Sequence, residues 1–146
     1  VVLGASAADV TAALGGLTRD RIRIVRNADW QDGLSASLRC GLRSLPPEAT
    51  AALIFLGDMP NVDAPMGTRA LEAVANGAPA AYPVFAGQPG HPVAVSRTLF
   101  PALDTLSGDT GARAILANLP GVVRIETQNA GCIQDIDTQG DLAALA

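Results

Sequence analysis

Ala51-Ala52-Leu53-Ile54-Phe55-Leu56-Gly57-Asp58-Met59-Pro60 is the stretch whose reading decides the fold. An unbroken apolar succession, with no polar residue to mark a solvent face, reads as a β-strand covered on both sides in a parallel sheet. Gly57 lets the backbone turn, and Asp58 then carries a carboxylate to the sheet edge, where ligands of open α/β sheets bind. Working outward, Val1-Val2-Leu3, Ile22 to Val25, Ala80 to Phe85, Pro92 to Val95 and Val122 to Ile125 read as further strands. Between them lie helical patterns. Ser6 is placed to cap a helix whose Val10, Leu14 and Leu17 share a face, and Leu34, Leu38, Leu42 and Leu45 recur until Pro46-Pro47 stops them. Pro65 opens a helix carrying Leu71 and Val74. Two more helices are expected around Leu99 to Leu106 and Ala112 to Leu119, and a last one, capped by Thr138, through Leu142 and Leu145. The alternation predicts one α/β domain over residues 1–146 with a mainly parallel sheet.

Composition narrows the classes of function. A chain of 146 residues buries about 70 % of the surface its unfolded form exposes, enough for a core without staples. Cys40 and Cys132 are too few for a disulfide framework, which points to a reducing cytoplasm. A net charge of -4 argues against a nucleic-acid surface, and no apolar run approaches the roughly 18 residues of a membrane span. All ten basic residues are Arg and none is Lys. They cluster in residues 1–43, whereas acids prevail in 101–146, so front and back suit an anionic ligand and a cation respectively.

Candidate chemistry lies just after the strands. Asp58 is either a hard oxygen ligand suited to Mg²⁺ or a turn aspartate bonding its own backbone. Asp135-Ile136-Asp137-Thr138, followed by Asp141, offers two carboxylates on one side of an extended segment, able to complete a cation site with Asp58. Alternatively, Asp137 or Thr138 caps the last helix, with Asp141 in its first turn. Asn27 to Leu38 holds the sole Trp, Trp30. There Gly33, Ser35 and Ser37 stand at a helix N-terminus whose free N–H groups suit an anion, unless Ser35 is only a cap and Trp30 a lid. His91, in Gly90-His91-Pro92, is placed to bind a phosphate or to be solvated; Asp109 reads as a cap, and Arg113 as a fork for an anionic substrate. Cys40 reads as structural, and Cys132 has no sequence neighbour that would activate it. There is no Walker loop, zinc-type Cys/His cluster or Ser/His/Asp motif.

Five strings, in order, resemble the MobA-like nucleotidyltransferase family, most closely its molybdenum cofactor cytidylyltransferase branch. Asn27, Trp30, Gly33, Ser37 and Leu38 are similar to its N-x-x-W-x-x-G-x-x-x-S-L segment, and Leu56-Gly57-Asp58-Met59-Pro60 to its metal-binding L-G-D-x-P. Gly90-His91-Pro92 resembles its G-H-P turn, Gly108-Asp109-Thr110-Gly111-Ala112-Arg113 its G-D-x-G-A-R, and Asp135-Ile136-Asp137-Thr138 with Asp141-Leu142 its D-I-D-T-P-E-D-L.

The resemblance implies a Rossmann-like nucleotidyltransferase fold. It also implies transfer of a nucleoside monophosphate from CTP to the phosphate of a molybdopterin-type cofactor, with release of pyrophosphate. Asp58 and Asp137 are the implied catalytic pair, and Asp58, Asp135 and Asp137 the Mg²⁺ ligands. Asn27, Gly33, Ser35 and Ser37 lie on the nucleotide side, and His91, Asp109 and Arg113 on the pterin side. A molybdoenzyme or accessory protein is a further implied partner. Alternatives are GTP or another phosphorylated acceptor on the same fold, or a non-catalytic module that holds the cofactor.

Departures from the family pattern set further expectations. The family's opening strand and its phosphate loop, L-A-A-G-x-S-x-R-x-G-x-x-K, have no counterpart, so the chain is read as N-terminally truncated and inactive alone, and its sheet as either broken in order or completed by a substitute strand from elsewhere. Gln139-Gly140 stands for the family's P-E, and Met59 for its common Gln.

Overall fold

A computed structural model describes residues 1–15 and 22–144. In chain order the elements are β1 (Val2–Leu3), α1 (Ala7–Ala13), β2 (Val25–Arg26), α2 (Leu34–Arg43), β3 (Ala51–Ile54), α3 (Ala64–Ala75) and β4 (Ala80–Phe85). They continue with β5 (Gln88–Pro89), β6 (Val93–Ser96), α4 (Phe100–Leu103), α5 (Arg113–Leu116), β7 (Val123–Glu126) and α6 (Gln139–Ala143). Short 3₁₀ turns cover Trp30–Asp32, Arg97–Leu99 and Ala130–Cys132. Two compact units result, one of Val1–Ala49 with Phe100–Asn118, the other of Thr50–Leu99 with Leu119–Ala146.

In the first unit β1 and β2 pair in parallel, extended by bonds from the Val25 amide to the Val1 carbonyl and from the Asn27 amide to the Leu3 carbonyl. Helix α2 lies close to β1, where a Cβ on Gly41 would sit 3.1 Å from the Val2 side chain. Leu3, Ala36, Leu42, Leu103 and Leu116 are buried in this unit. A bidentate pair from Arg43 to Asp104, at 2.9 and 2.8 Å, joins α2 to the end of α4. The Arg43 guanidinium draws the Asp104 carboxyl below its ordinary range.

The second unit is built on β4, which pairs antiparallel with β6 and β5 and parallel with β7; β6 pairs antiparallel with β3. Helix α3 presents Met66, Ala70 and Val74, four apart, to Ala81, Ala94 and Ile125 of the sheet. The alanines let helix and sheet approach closely, and Gly67 takes the place where a Cβ would come 2.9 Å from Leu53.

The α/β alternation is present, and the described strands fall into two separate sheets. The parallel majority is corrected: among the described residues three of the five strand pairings are antiparallel. Residues 86–92 between β4 and β6 are too few for a parallel crossover, which needs about a dozen residues or more. β6 must therefore run back, while β3, β4 and β7 all run the same way.

Other corrections follow from packing. The 51–56 run pairs only through Ile54, beyond which Phe55 is 51 % exposed. Ser6 sits at φ 52° and makes no side-chain cap bond. Val10 is exposed, and Ala7 is the residue that α1 buries; Leu17 lies outside the described residues, as does Leu145. The expected strand Ile22 to Val25 is found at Val25–Arg26, because its register is set by the bonds to β1.

Leu103→Ala is expected to destabilise the protein by about 2–5 kcal/mol, since Leu103 is fully buried. Leu142→Ala, on an exposed residue, is expected to stay within about 0.5 kcal/mol. Urea unfolding of the full chain measures both.

Candidate functional site

In the second unit three of the recognised strings converge on one sheet edge. The end of β3 is in register with the start of β6, Ile54 opposite Val93, and β7 ends on the same side because it is parallel to β4. That edge therefore carries Asp58 after β3, His91 before β6 and residues 127–137 after β7. The His91 amide donates to the Cys132 carbonyl at 2.7 Å, and the Ile136 amide donates to the Asp58 carbonyl at 2.9 Å. The half-buried His91 ring has Nδ1 3.4 Å from the Ile54 carbonyl oxygen.

Residues 127–132 owe their path to side chains that bond to the backbone two residues on. The Thr127 hydroxyl accepts from the Asn129 amide at 3.1 Å, and the Asn129 side chain accepts from the Gly131 amide at 2.8 Å. The turn then presses against its neighbours. A Cβ on Gly131 would overlap the Asn61 carbonyl, and one on Gly90 would lie 2.9 Å from both the carbonyl carbon and the sulfur of Cys132. Cys132 is buried, and that burial pushes its thiol above the ordinary cysteine value, which makes it a packing residue and a poor nucleophile.

Asp58, Asp135 and Asp137 are exposed. Among the described residues no group of three His, Cys, Asp or Glu side chains forms a cluster able to hold a metal ion, so the expected three-carboxylate set is not assembled. A two-carboxylate set does fit the chemistry of Mg²⁺, which takes one or two protein carboxylates and fills its remaining positions with water and phosphate oxygens. The Ile136–Asp58 bond brings together the backbones that bear such a pair. Thr138 is the cap of α6: its hydroxyl accepts from the Asp141 amide, while its own amide donates to the Asp141 carboxylate. The Thr138 hydroxyl also donates to Asp141 Oδ2 at 2.7 Å, and this bond first, with that of the Thr138 amide, holds the Asp141 carboxyl below the usual carboxylate range.

The other two strings meet inside the first unit. Gly33, at φ 90°, approaches the 108–109 backbone so closely that a Cβ would lie 2.5 Å from the Gly108 carbonyl carbon and 2.6 Å from Asp109 Oδ1. The Leu34 amide donates to Asp109 Oδ1 at 3.4 Å, the Ser35 amide to the Gly108 carbonyl at 3.1 Å, and the Ala36 amide to Gly33 at 3.2 Å. Asp109 thus caps α2 across the unit, a correction to its reading as the cap of its own helix α5, which has no side-chain cap.

The α2 N-terminus is likewise no open anion site, because these three N–H groups are already bonded. Ser35 is fully buried, with its hydroxyl accepting from Arg39, and the buried Asn27 donates to the Ser37 hydroxyl and accepts from the Asp29 amide. Asn27, Ser35 and Ser37 shape this segment from within. Trp30, 43 % exposed, passes over Gly4, where a Cβ would come 2.5 Å from its own. Arg113 is exposed on α5.

Arg39, which also reaches the Leu106 carbonyl, was not singled out in the sequence, nor were Gly131 and Asn129. The Thr-x-Asn-x-Gly spacing at 127–131 was the available signal for the last two.

A family model described as the MobA-like NTP transferase domain matches residues 1–123. No match is found among curated protein sequences. The chain is 33 % identical, with TM-score 0.77, to a homologue of Mycobacterium tuberculosis Rv0371c from Mycobacterium sp. strain JC1, covering 99 % of this chain and 71 % of that one. It is 29 % identical, with TM-score 0.79, to Rv0371c of M. tuberculosis H37Rv in a complex with manganese, covering 99 % and 74 %. A nucleotidyl transferase from Methanothermobacter shares the fold at 24 % identity and TM-score 0.77, covering 99 % and 69 %.

Thr138→Val is expected to move the Asp141 pKa up toward that of an ordinary carboxylate, read by carboxyl-carbon NMR titration. A depressed native pKa means that the capping box contributes stability above the unfolded-state value and loses it as pH falls through the native one. The variant should therefore show a weaker stability change over that acid range, and an unmoved Asp141 titration contradicts the assignment.

Proposed function

The chain belongs to the MobA-like NTP transferase family, with a Rossmann-like nucleotidyltransferase fold, and from that premise we propose that it transfers a cytidylyl group from CTP to the phosphate of a molybdopterin-type acceptor. An acceptor phosphate oxygen bonds to the α-phosphorus, the bond between the α-phosphorus and its bridging oxygen breaks, and pyrophosphate leaves. Such a reaction asks little covalent work of the protein; positioning and charge stabilisation carry it.

The observation that supports this reading is the Ile136–Asp58 backbone bond, 2.9 Å, which ties the Gly57-Asp58-Met59-Pro60 string to the Asp135-Ile136-Asp137 string at one sheet edge. We assign Asp58 and one of Asp135 and Asp137 as carboxylate ligands of a divalent cation, with Asp137 favoured as catalytic partner by the family resemblance. When bound, that cation supplies positive charge against the α-phosphate. A manganese complex of the 29 % identical Rv0371c accords with a divalent ion in this role. His91 and Arg113 are assigned to the anionic acceptor, Arg113 through its planar fork. Asn27, Gly33, Ser35 and Ser37 are assigned to the nucleotide side as residues that set the shape of their segment, because their polar groups are engaged within it. Asp109, as the cap of α2, supports that same segment. The reading places the reaction in the cytoplasm.

Calorimetry on the full protein with CTP and Mg²⁺ or Mn²⁺ tests this reading. CTP is expected to bind only with the cation, and Asp58→Asn to weaken it at least tenfold. Tighter binding of GTP would reassign the nucleotide. Absence of affinity for both, with retained binding of the pterin cofactor, would replace the transferase by an accessory module.

A further inference from the structure

The segment after β7 carries Asp135 and Asp137, one of which is assigned to the cation, and its placement is fixed by more than its own chain direction. Two points on the loop after β3 hold two points on this segment: the Asn61 carbonyl against the Cα of Gly131, and the Asp58 carbonyl accepting from Ile136. A third hold comes from His91, whose amide donates to Cys132 between them. The Asn61 contact tolerates no side chain. A Cβ on Gly131 would overlap the carbonyl oxygen and stand 2.8 Å from both its carbon and the Asn61 Cβ. Backbone cannot yield as the end of a flexible side chain does, so any side chain here must push the turn away from the loop.

We infer that Gly131 is a positioning residue for the divalent-cation site, setting the register of Asp135-Ile136-Asp137 against Asp58 through the close approach of its Cα to the Asn61 carbonyl. The inference rests on the proposed role of Asp58. Gly131 touches neither ion nor substrate. It acts through the Ile136–Asp58 bond, which survives only while the turn stays seated. The family model ends at residue 123, so this device lies beyond the matched segment. Gly140, in the same terminal segment, provides the contrast: a Cβ there meets only the Thr138 hydroxyl, at an ordinary 3.5 Å.

The test is Mn²⁺ binding to the full chain, followed by electron paramagnetic resonance of the free ion, together with amide hydrogen exchange at Ile136. Gly131→Ala is expected to raise the Mn²⁺ dissociation constant at least tenfold and to speed Ile136 exchange at least tenfold, with the far-ultraviolet dichroism unchanged; Gly140→Ala should change neither. If Asp58→Asn abolishes Mn²⁺ binding while Gly131→Ala keeps wild-type affinity, the positioning role is wrong and the cation assignment stands. If wild type and Asp58→Asn bind Mn²⁺ alike, or neither binds it, the cation assignment fails and the inference with it. Should Gly131→Ala not fold, Ile136→Pro, which deletes the donor to Asp58 without altering charge, decides in its place: weakened Mn²⁺ binding supports the inference and wild-type affinity overturns it.

Discussion

The short connection between β4 and β6, residues 86–92, is the constraint on which the second unit depends. It is too short to cross over a sheet, so β6 returns antiparallel beside β4. That reversal puts the start of β6 beside the end of β3 and leaves β3, β4 and β7 running the same way. His91, Asp58 and the segment after β7 are then at the same edge for one reason. Had the connection held a helix and β6 run parallel, His91 would lead into the opposite edge, away from Asp58.

Once the edge is set, backbone bonds complete it. Among the described residues the contacts that join the separate strings are mostly main-chain: the His91 amide on Cys132, the Ile136 amide on Asp58, the Ser35 amide on Gly108. This explains why glycine stands at Gly33, Gly90 and Gly131, where another strand of backbone or a neighbouring side chain occupies the space a Cβ would need. The carboxylates of Asp58, Asp135 and Asp137 are left exposed while the chain beneath them is held, an arrangement suited to a ligand that brings its own phosphate oxygens.

Much of this was legible in the sequence. The apolar runs gave the existence of β3, β4, β6 and β7, Pro65 the start of α3, and Thr138 the cap of α6. The pairing of β3 was misread because an apolar run specifies neither its partner's direction nor cover on both faces: only Ala52 of β3 is buried, and its neighbour β6 runs back, as the short 86–92 connection requires. Helical spacing gave α1 a face, but Val10 is left exposed on it, since spacing specifies a stripe and no partner. The roles of Asp109 and Ser35 were hidden for another reason. A cap that comes from residues far along the chain leaves no local signature, and Asp109 followed by a helix looks like an ordinary local cap. The five strings were visible one by one; their sorting into two groups, one in each unit, was not, since that is a property of the fold.

The central claim, that the cation site of this nucleotidyltransferase is the sheet edge bearing Asp58 and the Asp135–Asp137 segment, is tested most directly by paramagnetic line broadening. Mn²⁺ is added at substoichiometric levels to the ¹⁵N-labelled chain, and amide signals are followed residue by residue. The account predicts selective loss of the signals of Asp58, Asp135, Ile136 and Asp137, abolished in Asp58→Asn. Broadening centred on another set of residues, or broadening at these four that persists in Asp58→Asn, would contradict it.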